Sequence, residues 1–212
     1  MLAEHLRELA LLNRGLDLSL TDRRGPAGDR SERFHFPGGA RDFVALLDGE
    51  GVTPVHPDVI GFECEDPRMA GTLEVALRWR DCAGERVRGF ANSRATAYGT
   101  HLEGLRDGVA AALDAYARTA DPVEPAAAPG APAPVGPTPI GPELVGEGLT
   151  AVVSVKLDHP EFEGSIRDVL GNHPVRACVA EAVREHLGAW LEEHPERAAA
   201  VVARILRGAR RS

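Results

Sequence analysis

A chain of 212 residues with 43% hydrophobic and 26% charged residues can bury a core of its own, but it holds no more than one or two small domains. Its formal charge of −8 excludes free-standing DNA binding driven by overall phosphate attraction, because the field of the whole molecule repels a polyanion; only local basic patches are left for that role. No apolar run reaches the roughly 18 residues of a membrane span, and the amino end lacks the basic, apolar and small-residue order of a secretory signal, so the expected location is cytoplasmic.

Leu2, Leu6 and Leu9 repeat at helical spacing, and residues 13–15, with Asn13 and Gly15, close that short helix. Leu16, Leu18 and Leu20 then alternate with Asp17 and Ser19 as in a half-buried strand, and a polar loop follows over residues 23–31. After Phe34-His35-Phe36 and Gly38-Gly39, a second short helix carries Phe43, Val44, Leu46 and Leu47. Three strands are predicted next: Ile60, Phe62 and Cys64; then Leu73, Val75, Leu77 and Trp79 against Glu74, Arg78 and Arg80; then residues 85–91. Residues 81–84 have hairpin length and composition, which predicts that the second and third strands pair antiparallel. Thr100 and Glu103 form a T-x-x-E capping box ahead of Leu105, Val109, Ala112 and Tyr116, predicting a helix of about five turns that stops near Arg118.

Residues 119–146 hold eight of the 16 prolines and no aromatic residue, which predicts a disordered Pro/Ala-rich linker. An SH3-type ligand is the sharper reading of that stretch, set aside for want of nearby arginines. Ala151, Val153, Val155 and Leu157 share one face, and Val152 adds an apolar position on the other, as in a central strand. Val175, Val179, Val183, Leu187 and Leu191 form a helical stripe, and Pro195 opens a last helix with Val201, Val202, Ile205 and Leu206. The fold class is α+β, a mostly antiparallel sheet packed on one side by helices.

The search for chemistry finds no catalytic residue and no metal site. Phosphate-loop, nucleophile-elbow, zincin and kinase patterns are absent, and Cys64, Cys82 and Cys178 form neither a C-x-x-C pair nor a disulfide framework. His186 and His194 flank Trp190, but Pro195 separates their helices, so they are read as solvated rather than as a metal pair. Glu63 with Glu65 or Asp66 is read as a solvated strand face, not as paired catalytic carboxylates. Gly99, Thr100 and His101 at a helix start admit two readings, a phosphate or carboxylate contact and a structural cap. The single lysine, Lys156, amid many arginines reflects composition bias.

Several segments carry recognisable patterns in order: Leu6-Arg7-Glu8-Leu9 with Leu12-Asn13, Phe34-His35-Phe36-Pro37-Gly38-Gly39, Val55-His56-Pro57, Glu74-Val75-Ala76-Leu77-Arg78-Trp79, Gly99-Thr100-His101, and Glu147-Gly148-Leu149 through Lys156. Phe162-Glu163-Gly164 and Leu170-Gly171-Asn172 frame a loop between them. Together they resemble the transducer domain of gyrase B and of its topoisomerase IV counterpart, type II topoisomerases. The resemblance implies a left-handed βαβ crossover, contrary to the usual hand. It divides the chain into residues 1–22, the end of a missing ATPase domain; 33–118, the first part of the transducer; the linker 119–146; and 147–212, the second part with the carboxyl-terminal helices.

In that family a Q-T-K loop reaches the terminal phosphate of ATP in the neighbouring ATPase domain. Ser165, Ile166 and Arg167 stand there instead, leaving Ser165 and Arg167 as phosphate-sensing candidates of altered chemistry. Tyr98 replaces a family glycine, a strained substitution if that backbone takes a positive φ. The sequence lacks the family's ATP-binding and DNA-cleavage motifs and begins with Met1 at the last ATPase helix. The implied protein is therefore non-catalytic alone, with ATP and Mg present only when a separate ATPase domain supplies their site. Its expected partners are gyrase or topoisomerase subunits, or a second copy, met through residues 2–20, with duplex DNA contacted by Arg197, Arg204, Arg207, Arg210 and Arg211. The alternative is a repurposed fold serving as a small biosynthetic or accessory enzyme, with loop 165–167 and His101 lining a new pocket.

Overall fold

The computed structural model describes residues 2–24, 28–119, 141 and 144–209. Most of the linker expectation, together with Arg210 and Arg211, lies outside the described residues. From the amino end, α1 (Leu2–Leu11) leads into an antiparallel ribbon of β1 (Asp17–Asp22) and β2 (Arg30–His35), in which Leu18 stands opposite Phe34. The alternation of leucines in β1 turns one edge of the ribbon inward, and α2 (Ala40–Asp48) follows.

β3 (Ile60–Asp66), β4 (Gly71–Trp79), β5 (Arg86–Ala91), β6 (Arg94–Thr96) and the later β8 (Leu149–Leu157) form one five-stranded sheet in the order β3-β4-β8-β5-β6. The predicted β4/β5 hairpin is not made. β8 lies between the two strands, antiparallel to β4 and parallel to β5, with Val153 opposite both Val75 and Gly89. The reason is the apolar run of β8, almost wholly buried, which is stable only in the interior of a sheet. The turn after β4 simply carries the chain across it.

β7 (Tyr98–Gly99), β9 (Phe162–Glu163) and β10 (Val169–Leu170) make a small second sheet beside the start of α3 (Thr100–Thr119). The T-x-x-E signal marks the helix start at Thr100, but the reciprocal cap is not built. Glu103 Oε2 instead accepts from Arg176 at 2.9 Å, and the Thr100 hydroxyl is buried without a partner.

α4 (His173–Glu193) and α5 (Pro195–Ala209) complete the chain. Leu105, Val109, Leu113, Val179, Val183 and Leu187 from α3 and α4 cover the Leu73, Val75, Leu77 and Trp79 face of the sheet. The two helices approach closely because Gly104 and Gly108 lack side chains: a Cβ there would stand 2.5 Å from the Arg176 carbonyl and 2.7 Å from that of Ala180. Helices also cover the opposite face, contrary to the one-sided expectation. Leu11, Leu12, Phe43 and Val44 of the amino-terminal layer pack on Ala76, Phe90 and Val152. Val145, assigned by the sequence to the linker, is fully buried in a turn ahead of β8. The three cysteines are free.

Candidate functional site

The loop that joins β9 to β10 projects from the small sheet. Ser165, Ile166 and Arg167 are all exposed there, and Gly164 and Arg167 turn the chain with φ values of 73° and 54°. Its base is fixed by backbone bonds: the N–H groups of Ala97 and Tyr98 donate to the Asp168 carbonyl at 2.9 and 3.4 Å, and Gly171 donates to Glu161 at 2.8 Å. The Asn172 carboxamide accepts from Glu161 N–H at 2.7 Å and donates to the His159 carbonyl at 3.0 Å, closing the loop from below. At the tip, Arg94 Nη2 donates to the Ile166 carbonyl at 2.9 Å. Tyr98 and Ile166, 70% and 68% exposed, give this end of the molecule an apolar character. Tyr98 does not take a positive φ, so the expected strain there is absent.

A nucleotide phosphate has no built cradle at this loop. Ser165 and Arg167 are solvent-facing, and the described residues contain no buried polar pocket around them.

Gly99, Thr100 and His101 sit behind the loop. Gly99 has φ 135°, and a Cβ on it would meet Leu170 N at 2.5 Å, so only glycine allows β7 and β10 to lie this close. His101 is fully buried, its Nε2 2.8 Å from Thr96 Oγ1, and burial pushes its pKa down to about 4. A neutral, enclosed imidazole cannot greet an incoming anion. The anion reading of His101 is corrected to a structural one, and so is its place in a reactive pocket shared with residues 165–167.

The amino-terminal layer is the second feature. Leu2 is 60% exposed and Leu46 50%, whereas Leu6, Leu9, Leu16, Leu18 and Leu20 are half-buried, so the expected leucine surface is only partly open. Sequence reasoning missed what holds this layer. Glu74, which alternates with the apolar residues of β4, is buried; its Oε1 accepts from Arg14 Nη2 at 2.7 Å and from Ala40 N–H at 3.0 Å. Asp48, at the end of α2, is buried with Arg78, Arg80 and Thr150: Arg78 Nε donates to it at 2.7 Å, the Thr150 hydroxyl donates to its other oxygen, and Arg80 Nε lies 3.6 Å away. The signal that could have found these residues was the mixed polar and apolar character of β8 around Val152, which marks a covered rather than a wet face.

The arginines proposed for DNA are mostly engaged. Arg204 is buried, donates to the Cys82 carbonyl and lies 3.6 Å from both Asp81 and Glu147; Arg197 pairs with Asp58. Arg207 is the exposed member, 3.6 Å from Asp81. Arg197 and Arg204 thus fasten α5 to neighbouring turns; burial removes Arg204 from the DNA-contact candidates, while Arg197 stays partly exposed beside Asp58. His186 and His194 are not simply solvated: His186 stacks on Phe62 with ring centroids 4.2 Å apart, and His194 on Trp190 at 5.0 Å. Trp190 also lies over His56, whose pKa burial pushes down to about 4. Among the described residues no three potential ligands form a metal site, and no helix is long and apolar enough to cross a membrane.

A family model described as DNA gyrase B matches residues 39–212. The gyrase B protein of Streptomyces coelicolor is 34% identical over 98% of this chain and 31% of its own length, and that of Myxococcus xanthus 37% identical over 96% and 23%. The chain thus spans about a third or less of these relatives. Among solved structures, the 43K ATPase domain of Thermus thermophilus gyrase B, in complex with an aminocoumarin, superposes with a TM-score of 0.78 at 31% identity, covering 98% of this chain and 52% of that one.

Proposed function

The chain belongs to the DNA gyrase B family of type II topoisomerases, and on that premise we propose that these residues act as its transducer part, a lever without chemistry of its own. The lever works on a nucleotide-binding half that these residues do not contain, and ATP and Mg belong to that half. One observation carries the reading: a backbone-fixed loop presents Ile166 to solvent, and Tyr98 of β7, to which the base of that loop is bonded, is exposed as well, as suits contact with another surface. Replacement of the expected polar sensor by Ser165, Ile166 and Arg167 makes that contact one of apolar docking more than of phosphate reading.

The amino-terminal layer, with Leu2 and Leu46 exposed, supplies the second contact, to a gyrase subunit or to another copy. Any duplex contact is weak, since Arg197 and Arg204 are already paired within the fold. The test is a co-sedimentation assay of the chain with gyrase subunits, alongside duplex retardation at low salt. The reading requires a complex that Ile166→Asp disrupts; a chain that binds neither gyrase subunits nor DNA overturns it.

A further inference from the structure

The loop of residues 164–167 is tied at both ends to one neighbouring segment, residues 94–98. At its base the N–H groups of Ala97 and Tyr98 donate to the Asp168 carbonyl, and at its tip Arg94 Nη2 donates to the Ile166 carbonyl at 2.9 Å. Among the described residues Arg94 meets no carboxylate, and no other side chain bonds residues 164–167. The loop needs such a tie. Gly164 and Arg167 both take positive φ, 73° and 54°, and Ile166 stands 68% exposed between them. An untied loop would relax toward conformations that spare Arg167 its strain and fold the Ile166 side chain down onto the nearest surface.

Arg94 is itself held from behind. Asn92 and Ser93, with φ values of 50° and 62°, are the central residues of a two-residue hairpin turn of the type that requires positive φ at both positions, and Ala91 stands opposite Arg94 across it. The Asn92 carboxamide accepts from Leu157 N–H at 2.8 Å and donates to the Leu157 carbonyl at 2.9 Å, while Asn92 N–H donates to the Val155 carbonyl at 2.8 Å. The turn is thereby clamped to the central strand β8. Two residues beyond Arg94, on the same face of β6, Thr96 Oγ1 meets the buried His101 of α3 at 2.8 Å. Arg94 thus projects from a short strand fixed at one end to the sheet and at the other to a helix.

We propose that Arg94 is the positioning residue of the docking loop: its hydrogen bond to the Ile166 carbonyl selects, before any partner arrives, the conformation in which Ile166 faces solvent. The guanidinium acts on the loop and not on the partner. This inference rests on the docking reading and adds to it how the contact surface is prepared. One hydrogen bond of this kind raises the population of the docking-ready loop about fivefold, and affinity follows that population.

The full chain, native and with Arg94→Ala or Arg94→Lys, tests it in two measurements: backbone ¹⁵N order parameters of residues 164–167 in the free protein, and the dissociation constant with gyrase subunits from sedimentation. Arg94→Ala is expected to lower the order parameters from the rigid range of about 0.85 to below about 0.6, and to weaken binding about fivefold. The urea midpoint stays put, because the side chain is exposed. Arg94→Lys keeps a donor at similar reach and recovers most of both effects. Unchanged order parameters in Arg94→Ala overturn the proposal, even where binding weakens, since Arg94 would then touch the partner itself; a loosened loop that binds as tightly as the native one overturns it too. Ile166→Asp separates this outcome from failure of the docking reading. If native and Ile166→Asp bind alike, docking through the loop fails and the positioning role with it; if Ile166→Asp loses binding while Arg94→Ala keeps it, docking stands and the positioning role alone falls.

Discussion

The two faces of the five-stranded sheet are held by different physics. Under α3 and α4 the contact is dry, a continuous layer of leucine and valine brought close by Gly104 and Gly108. Under α1 and α2 a smaller apolar patch is ringed by buried charge, with Asp48 gripping Arg78, Arg80 and Thr150, and Glu74 gripping Arg14 and the start of α2. Dry packing is tolerant in direction but intolerant of voids. Buried ion pairs fix one register and penalise every other, as suits a layer that must be held at a set angle to the sheet.

The sharpest way to break this difference is Asp48→Ala, which strands the buried guanidinium of Arg80 and removes the partner of Arg78. A loss of about 3–5 kcal/mol is predicted, read from the urea midpoint. Gly99→Ala is next: a side chain at φ 135° facing Leu170 N at 2.5 Å combines backbone strain with a clash, together costing about 2–4 kcal/mol and freeing loop 164–167, visible as faster amide exchange there.

The dry face also carries the molecule's acid sensitivity. His56 and His101 have pKa values near 4 in the fold against an ordinary 6.5, so the unfolded chain takes up protons first as pH falls. Their contribution is complete above pH 6.5 and is lost between 6.5 and 4, about 1–3 kcal/mol for each, in urea midpoints measured across that range. Glutamine at either position flattens part of that slope. Smallest is Ile166→Lys, within about 0.5 kcal/mol because the side chain is 68% exposed, while binding to gyrase subunits weakens.

Periodicity made most elements legible: the helix ending at Thr119, the last two helices and the central character of β8 were all readable. Pairing order was not. Residues 81–84 look like a hairpin turn, and only the competition for a doubly buried place shows that β8 enters between β4 and β5. The same local view could not show what Glu74 and Arg78 meet, because their partners Arg14 and Asp48 come from 60 and 30 residues away. His101 misled for a related reason. A histidine at a helix start suggests an anion, but Gly89, whose Cβ would lie 2.5 Å from Nε2, leaves the space into which the ring withdraws toward Thr96. Motif spacing carried the family; it did not carry which charges were already spent inside the fold.

Docking through the exposed loop is tested most directly by sedimentation velocity of the full chain mixed with gyrase subunits, native against Ile166→Asp. The account predicts a faster-sedimenting complex for the native chain and its loss in the variant, with both proteins equally folded. Two chains that bind equally well, or neither binding at all, would contradict it.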